Sequence, residues 1–288
     1  MEFRNYKHED YEAVCEFLIE LNREGKDHIN WNWARFEWMY DHPEFDKSLI
    51  SSIGLWFDKE KIVGAAIYDM YYGEAFCGAL KEYQSIYPEI LDYAYNNLSD
   101  ESGLGIAICD DCADEIKEAE KLGFIKAEQT EDIVVIILDR NYNSSSDYTV
   151  TELNPEEEPY NFQWLIWQGF DHGSDKAEFE KEGYITPTTD CFRKHFDPRL
   201  SLAAVDKNGE KASYCCLWYS DKTDYAYVEP VCTIPSHRGK GAAKAVIYAA
   251  LNRARTLGAK KAYVLSDMEF YKRLGFEQDK HFSFYWKR

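Results

Sequence analysis

A chain of 288 residues is long enough for two domains that each bury a core, and its 45% hydrophobic content with 22 Tyr, 16 Phe and 8 Trp is that of a globular protein. Its net charge of −19 argues against a nucleic-acid partner, because phosphate backbones need a basic footprint. The charge is uneven: residues 1–140 hold 31 acidic and 13 basic side chains, whereas residues 221–288 hold 7 acidic and 13 basic.

Glu9 to Arg23 reads as an amphipathic helix with Val14, Phe17, Leu18 and Leu21 on one face. His28 to Trp38 reads as a second helix packing Trp31, Phe36 and Trp38 into a core, with the wall of an acceptor pocket as the alternative. Ile50–Phe57 and Ile62–Tyr68 read as strands joined by the turn Asp58-Lys-Glu-Lys61. Pro88 opens a helix, Gly103–Cys109 is a buried strand, Ala113–Leu122 a helix stopped by Gly123, and Ile133–Leu138 a closing strand. The serine-rich break Arg140-Asn-Tyr-Asn-Ser-Ser-Ser-Asp147 predicts a linker over 141–147 between domains at 1–140 and 148–288. Beyond it, Phe162–Phe170 and Phe179–Glu182 are helical pieces. Leu200–Val205 and Lys211–Tyr219 form a hairpin about Asp206-Lys-Asn-Gly209. Tyr225–Ile234 is a strand, an alanine-rich helix runs from Ala243 to its stop at Gly258, and Ala262–Leu265 is a strand. Met268–Leu274 is a short helix, and Phe282–Trp286 is the last strand.

Two landmarks repeat. The Asp58 turn recurs at Asp206, 148 residues on, and Lys121-Leu-Gly-Phe124 recurs as Arg273-Leu-Gly-Phe276, 152 residues on. Nearly constant spacing between distant landmarks points to an internal duplication.

No apolar run approaches the ~20 residues of a membrane helix, and the N-terminus lacks the layout of a signal peptide. Eight cysteines, among them Cys15, Cys77, Cys191 and Cys232, show no disulfide-framework spacing, which predicts reduced thiols in a cytoplasmic protein. Cys109-Asp-Asp-Cys112 has metal-like spacing, but no second Cys/His pair lies near it, so no metal site is expected.

Chemistry concentrates in Glu229-Pro-Val-Cys-Thr-Ile-Pro-Ser-His-Arg-Gly-Lys-Gly-Ala-Ala243. An extended run breaks at Pro235, and a glycine loop then opens into a helix. Free N–H groups and the positive end of the helix dipole suit such a loop to a phosphate or pyrophosphate. Gly239 and Gly241 let backbone approach the anion, and Arg238, Lys240 and Lys244 add charge. The bland alternative is an ordinary helix start with solvated basic residues.

Arg238-Gly-Lys-Gly-Ala242-Ala243 resembles the R-x-x-G-x-G/A signature of the GCN5-related N-acetyltransferase (GNAT) family, with Ala243 in place of the last glycine. Phe270-Tyr-Lys-Arg-Leu-Gly-Phe276 resembles the family's F-Y-x-x-L-G-F segment. The likeness covers residues 148–288, while the first half shares only the outline. It implies an α/β (α+β) protein of two tandem GNAT-like domains, each with a mixed, mostly antiparallel sheet flanked by helices. It also implies acetyl-coenzyme A (acetyl-CoA) as co-substrate, its pantetheine arm on backbone groups of Cys232, Thr233 and Ile234 and its pyrophosphate on the loop from Arg238 to Ala243. Tyr271 takes the family's general-acid position, and a neutral phenol suits the protonation of a leaving thiolate; a sheet-packing tyrosine is the alternative. Glu229, on the strand leading to the loop, is placed to deprotonate an amine through water, or is a solvated strand-end residue. Cys232 suggests a covalent acyl-enzyme, but no convincing Cys-His-Asp set accompanies it, which favours direct transfer.

The first half departs from the pattern: Tyr83 to Pro88 lacks glycine, Glu89 would repel a pyrophosphate, and Ala119 stands where Tyr271 does. The expectation is one working site, in the second half, that acetylates a primary amine of a small acceptor, a cationic one being the narrower reading, in a monomer or homodimer. The rival is a non-catalytic acyl-CoA-binding sensor or interaction module.

Overall fold

The computed structural model describes residues 1–144, 147–186 and 194–288. Residues 145 and 146 of the expected linker, and Cys191, lie outside them. In chain order the first half runs β1 (Glu2–Asn5), α1 (Tyr11–Leu21), α2 (Trp33–Asp41), β2 (Gly54–Asp58), β3 (Lys61–Asp69), β4 (Tyr71–Ala79), α3 (Tyr87–Leu98), β5 (Leu104–Cys109), α4 (Ala113–Lys121) and β6 (Ile125–Ile137). The second runs β7 (Thr149–Glu152), α5 (Pro159–Gly169), α6 (Lys176–Glu178), β8 (Ser201–Val205), β9 (Lys211–Tyr219), β10 (Tyr225–Thr233), α7 (Ala242–Leu257), β11 (Lys261–Leu265), α8 (Glu269–Arg273) and β12 (Glu277–Lys287). The two series match element for element, as duplication requires. Among the described residues no helix is long and apolar enough to cross a membrane.

The chain packs as two compact units that are not simple halves. Unit 1 is Met1–Val134 with Leu265–Lys272 and Phe276–Arg288; unit 2 is Val135–Val264 with Arg273–Gly275.

In unit 1, β1–β2–β3–β4 form an antiparallel ladder, and β4 then meets β5 in parallel at Glu74 and Gly105. The strand closing this sheet beside β5 is the last of the chain: Phe282–Lys287 pairs antiparallel with Cys109–Leu104. α1 buries Val14, Phe17, Leu18 and Leu21, and α3 buries Tyr87, Ile90, Leu91, Ala94 and Leu98, the spacing of one helical face. α2 starts at Trp33 and not at His28, because the Asn32 side chain accepts the N–H groups of Ala34 and Arg35 and fixes the N-cap there. Trp31 and Phe36 are buried, with Trp31 stacked on Phe76 at 5.7 Å, and Trp38 is half-buried. β2 starts at Gly54; Asp46 accepts from the Ser48 N–H and draws Lys47–Ser52 into a 3₁₀ turn.

In unit 2, β7–β8–β9–β10 are antiparallel and β10 meets β11 in parallel. Both units therefore have the expected mixed, mostly antiparallel sheet flanked by helices. Leu138 N–H donates to Lys260 O at 2.8 Å, and Asn252 of α7 pairs with the backbone of Tyr142 through both N–H and C=O. These bonds tie the stretch just after β6 into unit 2. α7 buries Ala245, Val246, Ala250, Leu251 and Ala254, and it stops at Gly258, whose φ of 121° and close Tyr219 hydroxyl leave no place for a side chain.

Candidate functional site

β10 is the strand from which the site is built. Its parallel pairing with β11 covers only Tyr225–Tyr227 against Lys261–Tyr263. Immediately after, its register against β9 slips between Val228 and Val231, where the Glu229–Pro230 peptide is cis. Pro230 has no N–H to give a ladder, which suits it to a bulge. Past this point β10 continues beside β9 alone. Cys232 C=O accepts the Ser213 hydroxyl at 2.6 Å and Ile234 N–H donates to Ala212 O at 3.0 Å, so both face β9. Alternation along the strand turns the backbone of Val231 and Thr233 to the opposite edge, the one β11 has left. β10 and β11 thus part after Tyr227, and the edge this leaves offers the Val231 backbone and the Thr233 N–H to an extended polar chain, the Thr233 carbonyl being held by Arg238.

The glycine loop follows at once. Gly239 and Gly241 have φ of 72° and 89°, the left-handed region, and a Cβ on either would meet nothing within 4 Å. Both are therefore glycines for conformation, in front of open space. Gly241 is the N-cap of α7, and no side chain caps that helix. The first-turn N–H groups of Ala242, Ala243 and Lys244 have no partner within the helix, and they stand at its positive end. Gly239, Lys240, Gly241 and Lys244 are exposed, Ala242 is buried and Ala243 half-buried. These features fit a pyrophosphate beside a pantetheine arm.

Arg238 does more than supply charge. Its guanidinium donates to Thr233 O at 3.1 Å and Gly169 O at 3.1 Å, and pairs with Asp171 at 2.9 Å. It thus staples the end of α5 to the end of β10, where Gly169 packs on Cys232 with no room for a Cβ. Sequence reasoning missed this because Asp171 and Gly169 lie 67 and 69 residues away.

Glu229 is half-buried beside the bulge, its backbone carbonyl accepting from Trp218 Nε1 at 2.8 Å. Cys232 is 5% exposed with its Sγ toward Leu165 O, and burial pushes its thiol up to about 12. A thiol so protonated is a poor nucleophile. His237 is engaged elsewhere, with Tyr148 at 2.8 Å and Glu210 at 3.0 Å. Glu229, the strand edge and the loop thus lie together in unit 2. Tyr271 belongs to the Leu265–Lys272 segment of unit 1. It is buried between Phe270 and Phe276, at 5.0 and 5.5 Å.

Unit 1 repeats the frame without the chemistry. Phe124 N–H donates to Ala119 O at 3.1 Å, with Gly123 at φ 89°; Phe276 N–H donates to Tyr271 O at 3.1 Å, with Gly275 at φ 94°. The same turn therefore puts Ala119 where the second half has Tyr271. β4 is followed by a 3₁₀ turn, Lys81–Ile86, and the first turn of α3 carries Glu89, which accepts from Trp56 Nε1 at 2.8 Å. The cavity between β4 and β5, lined by Trp31, Arg35, Asp69, Glu74 and Glu131, is about 30 Å³, room for a water or two and no more.

The family model described as Acetyltransferase (GNAT) family matches residues 156–276. That stretch is a GNAT domain. No curated protein matches the chain in sequence. Solved structures match it in fold. A GCN5-related N-acetyltransferase from Sphaerobacter thermophilus is 13% identical with a TM-score of 0.60, covering 99% of this chain and 95% of that one. A tandem GNAT protein from the clavulanic acid biosynthesis pathway is 14% identical with a TM-score of 0.60, covering 99% and 97%. Saccharomyces cerevisiae N-myristoyltransferase is 13% identical with a TM-score of 0.51, covering 99% and 77%. At such identity the likeness concerns the fold, and it extends over both halves: the chain has a tandem GNAT fold. The GNAT segment holds Glu229, the bared edge, the loop and Tyr271.

Proposed function

We propose that the chain is an N-acetyltransferase that moves an acetyl group from acetyl-CoA to a primary amine of a small, cationic acceptor, with one working site, in the second half. The observation that carries this reading is the parting of β10 from β11 after Tyr227, directly upstream of an uncapped helix start flanked by Gly239 and Gly241. The edge at Val231 and the Thr233 N–H suits an amide-bearing arm, and the loop suits the pyrophosphate at its far end. In the reaction the amine, having lost a proton to Glu229 through water, attacks the thioester carbonyl carbon. The C–S bond breaks, and Tyr271 protonates the leaving sulfur. Buried Cys232 takes no covalent part.

The acidic first half, with its excess of carboxylates over residues 1–140, supports a cationic acceptor through its field. Unit 1 has kept the scaffold and lost the donor site, as Ala119 and Glu89 indicate.

Release of free thiol from acetyl-CoA across a panel of primary amines tests the reading. Turnover should depend on the amine, favour cationic acceptors and weaken with salt. Tyr271→Phe should lower kcat by about 100-fold with coenzyme A affinity unchanged. Wild-type turnover in that variant removes Tyr271 from the mechanism. Binding of coenzyme A with no turnover on any amine points to a sensor instead.

A further inference from the structure

Unit 1 carries a thiol cluster outside the site described above. Cys109 ends β5, and Cys112 is the N-cap of α4, a nine-residue helix. Cys112 N–H donates to Cys109 O at 2.9 Å, closing a tight turn. Such a turn holds its end Cα atoms within about 7 Å, which overlaps the range a disulfide spans. The two sulfurs and an Asp27 carboxylate oxygen all lie within 4.8 Å of one another. Lys280 Nζ sits against this group, 2.9 Å from Asp27 and 2.9 Å from Asp111.

This arrangement answers the metal-like spacing of the sequence. Asp27 completes a third ligand, but the lysine ammonium already occupies that carboxylate and supplies the positive charge. What remains is a dithiol at the start of a helix beside a cation, the setting that stabilises a thiolate. The Cys112 S–H, opposed by burial and helped by the Asp111 backbone N–H and Lys280, holds Cys109 below the usual thiol range, and the same bond with burial and Glu115 pushes Cys112 up, so the two sulfurs share one proton and either carries the thiolate only while the other holds it. Glu115, close to Cys112, His28, 3.3 Å from Glu115, and the buried Tyr87 of α3 also face the pair. Access is unequal: Cys109 is 2% exposed and Cys112 half-buried.

We propose that Cys109-Asp-Asp-Cys112 is a dithiol–disulfide exchange site whose substrates are low-molecular-weight disulfides. Cys112 passes its proton to Cys109 and attacks one sulfur of the small disulfide, forming a mixed disulfide and expelling one thiolate. That thiolate takes the proton from Cys109. Cys109 then attacks the Cys112 sulfur, the Cys109–Cys112 bond forms, and the second small thiolate leaves. Two protein thiols are oxidised and one small disulfide is reduced to two thiols.

The test uses the reduced full chain in millimolar oxidised and reduced glutathione, followed by intact mass and peptide mapping. The wild type should lose two hydrogens, mapped to a Cys109–Cys112 bridge. Cys109→Ser should instead accumulate glutathione on Cys112, and Cys112→Ser should take none at Cys109. Lys280→Gln, judged folded by circular dichroism, should slow iodoacetamide alkylation of the pair several-fold at neutral pH. A wild type that stays fully reduced overturns the proposal, as does one zinc ion per chain that survives dialysis and blocks alkylation.

Discussion

Gly241 shows how much of the site depends on single backbone angles. Its φ of 89° is one that L side chains rarely adopt, while the space where a Cβ would stand is open. Gly241→Ala should therefore act through conformation alone, costing about 1 kcal/mol and lowering coenzyme A affinity several-fold. Thermal unfolding and a coenzyme A titration check both effects. The role of Gly241 is legible in sequence because a glycine at a helix start has few other reasons to be there. That of Arg238 is only half legible: its charge is visible, but its bonds to Gly169 O and Asp171 join segments far apart in the chain. Cys232 is likewise ambiguous in one dimension, and only its burial against Leu165 decides that it is inert.

At the scale of elements, contacts across β1 and α1 set an acid limit on stability. Arg4 grips Asp10 with two bonds of 2.6 and 2.7 Å, and Lys7 N–H adds a third of 2.7 Å. The Arg4 guanidinium holds the Asp10 carboxyl below its ordinary value, against a smaller opposing effect of burial. A depressed folded pKa stabilises the fold above the unfolded value near 4, and that stabilisation is lost as pH falls through the folded pKa. Asp10→Asn should cost about 2 kcal/mol at pH 7, a deficit that shrinks below pH ~4, read from denaturant melts across pH. Long periodic elements such as α1, α3 and α7 are legible to within two or three residues. β4 is not: Tyr71-Tyr-Gly-Glu-Ala-Phe-Cys-Gly-Ala79 carries two glycines and no clean alternation, and its strand character comes from its neighbours. β6 is twice its expected length because its start, Lys126 to Asp132, is too polar to read as strand.

At the scale of the molecule, duplication is visible in two short repeats, but the membership of the last strand is not. A strand pattern fixes which face is buried and carries no address for its neighbour. β12 pairs with β5 in unit 1, so the encoded half and the folded unit differ by this strand, by Leu265–Lys272, and by the chain from Val135, which packs in unit 2. Residues 1–140 expressed alone should expose the β5 edge and aggregate, and a peptide of residues 276–288 added in trans should restore protection of Leu104–Cys109 in hydrogen exchange. Normal protection without the peptide contradicts that assignment.

The central claim is a single donor site on the bared edge of β10 and the glycine loop. Titration of the full chain with coenzyme A, followed by amide hydrogen exchange, tests it most directly. One molecule should bind per chain, with new protection confined to residues 231–234 and 239–244. Two molecules per chain, or protection centred on residues 79–90, would contradict it.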